Sequence, residues 1–226
     1  MIRSFLNKFL LLRHAFFKKI NKDFYSQFGE DKILDELIPK NHTNGFYVDV
    51  GCFHPKKHSN TYILFKRGWS GINIDMEKDK VETFKLARPR DYNFLGAISD
   101  KVENVKIYRN QEFGVGSSII PDFINKDIII DENTIQTTKL DNVINQSPFK
   151  NKKIDLLNID TEGNDLKVLK SLSFNIYNPH IIIIETHLKK IEDILQSEIY
   201  LYLINREYEL KSWNIYSLIF RKISKS

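Results

Sequence analysis

The stretch GFYVDVGCFHP, residues 45–55, places a short apolar run directly before a glycine turn. The β-branched and aromatic residues between Gly45 and Gly51 predict a fully buried strand of a parallel sheet. In open α/β sheets, ligands bind outside the carboxyl ends of the strands, at the point where the strand order reverses. Gly51 lets a ligand approach the backbone, and Asp49 offers a carboxylate beside it. The pattern fits a nucleotide site and also an ordinary buried first strand.

A second short strand favours the nucleotide site. The run GINID, residues 71–75, is also apolar and ends in an acid, and Asp75 lies 24 residues beyond Gly51. In dinucleotide-binding sheets, an acidic residue about 20 residues after the glycine turn binds the ribose hydroxyls. Two adjacent strands that each end in a carboxylate therefore predict a nucleoside pocket.

Strands and helices alternate along the rest of the chain. Helices are predicted from residue 30, over residues 62–66 after a cap at Ser59 or Asn60, over 78–86, from an Asp141 cap to 144, over 165–172 and over 188–205. Strands are predicted over residues 92–98, 105–108, 153–160 and 179–185, followed by a hairpin of 208–213 and 215–220. We interpret residues 109–136 as a loop or lid on the substrate side, and the alternative is a connecting loop without a function. The alternation predicts a doubly wound, mostly parallel α/β sheet that ends in an antiparallel hairpin.

Length and composition fit one globular domain. The chain has 226 residues, of which 42% are hydrophobic and 28% are charged, so it can bury a full core. Its single cysteine, Cys52, excludes an intrachain disulfide and favours a reducing compartment, which predicts a cytoplasmic protein. In a glycine turn, a lone cysteine is interpreted as a small packed residue rather than as a nucleophile.

The excess positive charge is confined to the N-terminal segment. The net charge is +5, yet residues 1–22 hold six basic residues and no acid, while the other 28 basic residues face 29 acids. Apolar residues recur in this segment with helical spacing, which predicts a basic amphipathic helix ahead of a domain formed by residues 23–226. The helix can pack on the domain, pack on a second subunit of a homo-oligomer, or lie on an anionic membrane surface.

Other roles fit the N-terminal segment less well. Lys8 and Arg13 interrupt the apolar run and no small-residue cleavage site follows, which argues against a secretory signal. No stretch approaches about 18 uncharged apolar residues, so a membrane span is not predicted. The basic residues do not continue elsewhere and no recognised motif accompanies them, so no nucleic-acid partner is predicted.

Six segments together resemble the FkbM family of S-adenosylmethionine-dependent methyltransferases. They are SQFGED (residues 26–31), GFYVDVGCFHP (45–55), SNTYILFKRGWSGINID (59–75), TTKLDNVI (137–144), IDLLNIDTEGND (154–165) and IIIIETH (181–187). The resemblance implies a class I methyltransferase fold and transfer of a methyl group to a hydroxyl, usually on a sugar or a polyketide. The terminal hairpin and the missing GxGxxG pattern argue against a nicotinamide-dependent oxidoreductase.

The resemblance also implies where the S-adenosylmethionine cofactor binds. Asp49 and Gly51 are placed at its methionine end, Asp75 at the ribose, and residues 97–100 near the adenine. The usual second glycine of the loop is absent, and the sequence CFHP, residues 52–55, stands in its place. The implied cofactor-binding residues are Asp49, Gly51, Cys52, His54, Asp75, Ala97 and Ser99.

Two further strand ends carry residues that suit methyl transfer. The reaction is an in-line displacement, so the enzyme brings the acceptor oxygen to about 3 Å from the methyl group and takes up its proton. Asp160 and Glu162 follow one predicted strand, and Glu185 and His187 end the next. If those strands are neighbours, three carboxylates and an imidazole meet at one edge of the sheet.

Several roles are open to these four residues. His187 is the preferred general base because an unperturbed imidazole titrates near neutral pH, and Asp160 or Glu162 can orient sugar hydroxyls or act as the base when desolvated. The carboxylates, Glu185 included, can instead hold a divalent cation that acidifies the hydroxyl. Because the sequence shows no compact ligand motif, direct acid–base chemistry is preferred and no metal is predicted. Glu162 also fits a first-turn helix acid.

The sequence therefore predicts an O-methyltransferase that uses S-adenosylmethionine and acts on a sugar or glycan hydroxyl. A lipid-linked surface polysaccharide would suit a basic N-terminal helix that lies on the cytoplasmic face of the membrane. A non-catalytic module that keeps the fold is the alternative. The sequence leaves open the acceptor, the hydroxyl position, the oligomeric state and the need for a metal.

Overall fold

The computed structural model describes residues 24–109, 117–120 and 131–223. The predicted N-terminal helix, residues 1–22, and much of the predicted substrate-side loop lie outside the described residues. Within the described ranges, no helix is long and apolar enough to cross a membrane.

The described helices and strands alternate as expected for an α/β protein. The helices are α1 (Glu30–Leu37), α2 (Tyr62–Lys66), α3 (Lys78–Ala87), α4 (Leu140–Gln146), α5 (Asp165–Lys170), α6 (Ile191–Gln196) and α7 (Glu198–Ile204). The strands are β1 (Phe46–Val50), β2 (Ser70–Asp75), β3 (Tyr92–Leu95), β4 (Ala97–Ile98), β5 (Asn104–Arg109), β6 (Asp131–Thr138), β7 (Leu156–Ile159), β8 (Ile181–Glu185), β9 (Tyr208–Asn214) and β10 (Ser217–Lys222).

The main sheet has seven strands in the order β3-β2-β1-β7-β8-β10-β9. The strands from β3 to β8 in this order pair in parallel, while β10 is antiparallel to both β8 and β9. The predicted doubly wound sheet with a terminal antiparallel hairpin is thus confirmed. Because β2 lies on one side of β1 and β7 on the other, the strand order reverses at β1, where open α/β sheets form a ligand crevice.

Both faces of the main sheet are covered, which explains why its central strands are apolar. All five residues of β1 are buried. Val48 packs in a cluster that includes Leu140 of α4, whereas Tyr47 packs on the opposite face with Leu34 of α1 and Leu64 of α2. A parallel strand that is buried on both faces has a near-continuous apolar sequence, as β1 and β8 have. Polar side chains are thereby concentrated where the strands end.

The predicted single strand over residues 92–98 is wrong, because it is two strands in two sheets. Strand β3 pairs with β2 in the main sheet, and the chain then breaks at Gly96, whose N–H donates to the Asp75 carbonyl oxygen (3.0 Å). Strand β4 follows at once and pairs in parallel with β6, at Thr137 and Thr138. Strand β6 also pairs antiparallel with β5, which completes a second sheet of order β4-β6-β5.

Several predicted local features are also corrected. Residues 131–136 are part of strand β6 rather than of a loop. The predicted helix over residues 188–205 is two helices, because the Ser197 side chain accepts the Tyr200 N–H and starts a new helix there. Asp141 does not cap α4; its carboxylate accepts hydrogen bonds from the N–H and hydroxyl of Ser173 instead. The N-cap position of α2 is occupied by Thr61 rather than by Ser59 or Asn60, and the Thr61 side chain makes no capping hydrogen bond.

Candidate active site

A crevice opens at the carboxyl ends of β1, β2 and β7, where the strand order reverses. Its empty volume is about 930 Å³, part of which is open to solvent. Small-molecule sites are usually concave clefts of this kind. The predicted site residues that line the crevice are Asp49, Gly51, Cys52, Asp75, Ala97, Asp160 and Glu162.

Gly51 is required by the neighbouring strand. Its backbone has a φ of +78°, and its N–H donates to the Ile74 carbonyl oxygen of β2 (2.9 Å). On the β7 side, the Asp160 N–H donates to the Val50 carbonyl oxygen (3.0 Å), and a Cβ on Gly51 would lie 1.7 Å from the Asp160 carbonyl oxygen. The first atom that a side chain at position 51 would meet thus belongs to the protein rather than to a ligand.

Asp49 forms the floor of the crevice. The residue is only 2% exposed, and its two carboxylate oxygens accept hydrogen bonds from the Thr61 hydroxyl (2.6 Å) and the Asn158 amide (2.8 Å). Burial raises the pKa of the Asp49 carboxyl, while the bond from Thr61 acts in the opposite direction. The Asn158 oxygen in turn accepts from the Asn60 amide (2.9 Å), so one buried network joins β1, β7 and the start of α2.

Asp75 ends strand β2 and faces the crevice. Its Oδ2 accepts the Phe53 N–H (3.2 Å) and its Oδ1 accepts the Glu77 N–H (2.9 Å). Burial raises the pKa of the Asp75 carboxyl, and the positive charge of Lys80 opposes that effect. Each carboxylate oxygen has a second lone pair, so Asp75 can accept hydrogen bonds from two ligand hydroxyls while it keeps both backbone donors.

Arg88, at the end of α3, fixes the loop that forms one wall of the crevice. The side chain is completely buried. Its guanidinium donates to the Pro55 carbonyl oxygen (2.6 Å), the Ser59 hydroxyl (2.8 Å) and the Thr61 hydroxyl (2.8 Å). Arg88 also lowers the pKa of Asp49, although burial raises that pKa more strongly. The fork geometry of a guanidinium allows one residue to hold these three positions of the loop together.

The side of the crevice that the family resemblance assigns to the adenine is formed by β4 and the turn before α5. The Asn164 amide donates to the Ile98 carbonyl oxygen (2.8 Å), and its own oxygen is buried without a hydrogen-bond partner among the described residues. Ala97 lines the crevice, whereas Ser99 is not among the lining residues in the described part of the chain. The Ser99 hydroxyl donates instead to the Asp100 carboxylate (3.3 Å).

Of the two predicted residues in the loop after Gly51, Cys52 lines the crevice in the described part of the chain and His54 does not. Cys52 is buried in the crevice wall, and burial raises the pKa of its thiol, which favours the packed residue over the nucleophile. The Nδ1 of His54 accepts the N–H groups of Lys56 (3.0 Å) and Lys57 (2.9 Å), so His54 closes a local turn. In the described ranges, His54 does not line the crevice.

Beyond the crevice, the ends of β7 and β8 bring four predicted residues to one edge of the sheet. The two strands are parallel neighbours, with Ile159 opposite Ile184, as the sequence analysis required. The Glu162 N–H donates to Glu185 Oε2 (3.2 Å), and His187 Nε2 lies 3.2 Å from Glu185 Oε1. The Glu185 side chain is 11% exposed and that of His187 is 44% exposed. The cluster therefore has a buried end and a solvent end.

A tight turn holds Glu162 in place. Glu162 has a left-handed backbone conformation with a φ of 51°, which residues other than glycine rarely adopt. The Asp165 carboxylate accepts the Thr161 N–H (2.8 Å) and the Gly163 N–H (3.1 Å), and the Ser118 hydroxyl donates to the Glu162 carbonyl oxygen (2.8 Å). These bonds fix the strained turn, so Glu162 is positioned by the turn before α5 rather than by a helix.

The carboxyl groups of this edge interact strongly with one another. Burial raises the pKa values of both Asp160 and Glu185, and the neighbouring carboxylates raise them further. The two side chains lie within hydrogen-bonding reach of each other. Carboxylates that share a site repel one another when both are ionised, so each holds a proton more strongly than a free carboxyl does.

Sequence reasoning missed polar residues that line the crevice, namely Gln27, Asn60, Lys80, Asn158 and Asn164. The turn before α1 is closed by the Ser26 hydroxyl and the Glu30 carboxylate, since Gly29 N–H donates to Ser26 (3.1 Å) and Phe28 N–H donates to Glu30 (2.9 Å). Gln27 is left exposed at the crevice.

The fold and the site together define a class of protein. A parallel sheet whose order reverses at a crevice, a carboxylate at the end of β2 and acidic groups at the next strand ends form the architecture of a methyltransferase with a nucleoside cofactor. The chain belongs to the FkbM methyltransferase family, because the model of the methyltransferase FkbM domain matches residues 49–210, more than half of the chain. The protein is therefore a methyltransferase, and its cofactor is S-adenosylmethionine.

Two solved structures are distantly similar. One is a TehB-like SAM-dependent methyltransferase from Corynebacterium glutamicum ATCC 13032 Kitasato, with 13% identity, a TM-score of 0.44, and coverage of 98% of this chain and 97% of that chain. The other is a methyltransferase FkbM from Methylobacillus flagellatus KT, with 13% identity, a TM-score of 0.49, and coverage of 79% of this chain and 44% of that chain. A search of curated proteins gave no match.

The crevice fits S-adenosylmethionine by the chemistry of its walls. The Asp75 carboxylate has acceptor positions for the two ribose hydroxyls. Met76 and Ile98 are also among the lining residues, and such apolar residues suit an adenine ring. The Asp160 carboxylate lies toward β7 and offers negative charge to the cationic methionine end. These residues therefore suit the cofactor of the family.

Proposed function

We propose that the protein is an O-methyltransferase that acts on a hydroxyl of a sugar or glycan. The observation that carries this proposal is the cluster at the ends of β7 and β8, where Asp160, Glu162, Glu185 and His187 lie together beside the cofactor crevice. Carboxylates and an imidazole are hydrogen-bonding groups for a polyhydroxylated acceptor, and they are also groups that take up a proton.

The residues of the crevice would hold and orient the cofactor. Asp75 would bind the ribose, and the network of Asp49, Thr61 and Asn158 would keep the β1 turn in shape beneath the methionine end. When bound, S-adenosylmethionine supplies a methyl group on a positively charged sulfur. The protein must then place an acceptor oxygen in line with that methyl group and take up the hydroxyl proton.

Asp160 is the best placed of the four residues to take up that proton. It lines the crevice, whereas Glu185 and His187 are not among the lining residues in the described ranges. Its pKa is raised by burial and by neighbouring carboxylates, and an acid whose pKa lies closer to neutral is a stronger general base. Glu162 and His187 would orient the acceptor hydroxyls. This arrangement changes the role that the sequence suggested for His187.

The test is methyl transfer by the purified full-length chain to a panel of oligosaccharides and lipid-linked sugars. We expect release of S-adenosylhomocysteine together with an acceptor that gains a methyl ether, located by NMR. Asp160→Asn should lower kcat by a factor of about 10² to 10⁴, while S-adenosylhomocysteine still binds. Asp193→Asn, an exposed acid of α6, is the matched control.

Three outcomes would overturn the proposal. Methylation of an amine or a carboxylate in place of a hydroxyl would exclude O-methylation of sugars. Undiminished turnover in Asp160→Asn would show that Asp160 is not the general base. Tight binding of S-adenosylhomocysteine without transfer to any acceptor would favour the non-catalytic module.

A further inference from the structure

Three side chains of the cluster at the ends of β7 and β8 have the spacing of a metal site. One carboxylate oxygen of Glu162, one of Glu185 and one imidazole nitrogen of His187 all lie within 4.8 Å of one another. Ligand distances of about 2.0 to 2.2 Å place the ligands of one ion about 3 to 4.4 Å apart. The three atoms are therefore close to the separation that a single bound cation requires.

The three ligands come from well-fixed backbone positions. Glu185 is the last residue of β8, and the buried Thr186 that follows it donates its N–H to the Tyr216 carbonyl oxygen of the terminal hairpin (2.7 Å). The Glu162 N–H is bonded to Glu185 Oε2 (3.2 Å), which ties the second ligand to the first. A metal site needs ligands that the fold holds in position, and these contacts supply that support.

The surrounding charge also favours a cation. The carboxyls of Asp160, Asp165 and Glu162 all lie close enough to Glu185 to act on it electrostatically. Acidic groups gathered at a partly buried edge repel one another unless a proton or a cation lies among them. The imidazole distinguishes this set from a simple acidic patch, since it adds a nitrogen ligand on the open side.

We propose that Glu162, Glu185 and His187 bind one divalent cation, and that the cation holds a hydroxyl of the acceptor at the mouth of the cofactor crevice. Two carboxylates and one imidazole combine ligands preferred by Mn²⁺ with a nitrogen that suits several transition metals, so Mn²⁺ is the probe of choice. The proposed ion site is inferred from the geometry alone, whereas the proposed binding of an acceptor hydroxyl by the cation rests on the proposed function.

The cation and the Asp160 carboxylate would have different roles in the reaction. A hydroxyl bound to a divalent cation loses its proton more readily than a free one. The O–H bond breaks, its electron pair stays on the oxygen next to the cation, and the proton passes to the Asp160 carboxylate. The oxygen would then form a bond to the methyl carbon while the bond from that carbon to the cofactor sulfur breaks, and the electron pair of the broken bond would leave on the sulfur of S-adenosylhomocysteine. In this scheme, His187 is a ligand and Asp160 is the base.

The ion site can be tested without cofactor or acceptor. Electron paramagnetic resonance of Mn²⁺ added to the full-length protein should show one bound ion per chain. Glu185→Gln and His187→Ala should each weaken Mn²⁺ binding by at least about tenfold. Glu192→Gln, an exposed acid at the start of α6, should bind Mn²⁺ as the unmodified protein does. An unchanged affinity for S-adenosylhomocysteine in each variant would show that the fold is intact.

The outcomes separate the ion site from the proposed function. Mn²⁺ that binds no better to the unmodified protein than to His187→Ala would overturn the site. Mn²⁺ binding without methylation of any hydroxyl would support the site and overturn the proposed function. Hydroxyl methylation that persists undiminished after removal of divalent ions with EDTA would overturn the catalytic role of the cation.

Discussion

Replacement of Gly51 by alanine is expected to separate the ends of β1 and β7. The added Cβ would lie 1.7 Å from the Asp160 carbonyl oxygen, which is backbone and cannot rotate away. The φ of +78° is also unfavourable for alanine. Gly29→Ala is a matched control, since Gly29 has a φ of +92° but no atom lies within 4 Å of an added Cβ.

Both substitutions place alanine in a left-handed backbone conformation, but only Gly51→Ala also creates a clash with a neighbouring strand end. The left-handed backbone costs about 1 to 2 kcal/mol at either position. At position 51 the strand ends must also move apart, which weakens the bonds from Gly51 to Ile74 and from Asp160 to Val50, each worth about 1 kcal/mol. With loosened packing, Gly51→Ala should lower the free energy of unfolding by about 3 to 5 kcal/mol, against about 1 to 2 kcal/mol for Gly29→Ala.

Urea denaturation of the two variants and of the unmodified chain measures this difference. Calorimetric titration with S-adenosylhomocysteine should in addition show that Gly51→Ala loses affinity, because the displaced residues line the crevice, while Gly29→Ala retains it. Equal losses of stability in the two variants would refute the reasoning, since the contact with Asp160 would then carry no cost.

Four further predictions follow from the same structure. Asp75→Asn should weaken S-adenosylhomocysteine binding by about tenfold or more in calorimetry, while the exposed Asp79→Asn should not. Because burial and the neighbouring carboxylates raise the pKa of Glu185 from 4.5 to about 10 in the folded state, stability should fall as the pH rises between those two values; urea denaturation should show a loss of at least about 1 kcal/mol between about pH 5 and about pH 9, and Glu185→Gln should reduce that dependence. Arg88→Met should destabilise the fold by about 3 to 5 kcal/mol, measured by urea denaturation, because it leaves Asp49 and Asp91 buried without their cation. Flotation with anionic liposomes should be lost when residues 1–22 are deleted; equal flotation of both chains would exclude the predicted membrane contact.

The main sheet was predictable because its central strands are short runs of apolar residues in the sequence. The runs that became β1 and β8 are buried on both faces, so their sequences are apolar apart from Asp49 and the terminal Glu185. The errors arise where a local bond interrupts a longer pattern. Gly96 lies inside an apolar stretch and breaks it through a bond to Asp75, and Ser197 divides a helical pattern by capping a second helix.

The strand-end acids of the site were predictable for a topological reason. Parallel neighbours end at the same edge of a sheet, so acids after β7 and β8 had to meet once the strands were paired. The amides were missed because their partners are distant in sequence: Asn158 bonds to Asp49 and Asn164 bonds to Ile98. A polar residue inside an apolar run, as Asn158 is in β7, was the signal that pointed to it.

The buried Arg88 makes the shape of the crevice wall independent of the cofactor. Pro55, Ser59 and Thr61 are held by one guanidinium that has no exposure to solvent, so this wall keeps its conformation when the crevice is empty. A loop that is ordered beforehand costs no conformational entropy on binding, and more of the contact energy appears as affinity. Lysine at position 88 would not preserve this, since an ammonium lacks the planar fork that reaches three acceptors at once.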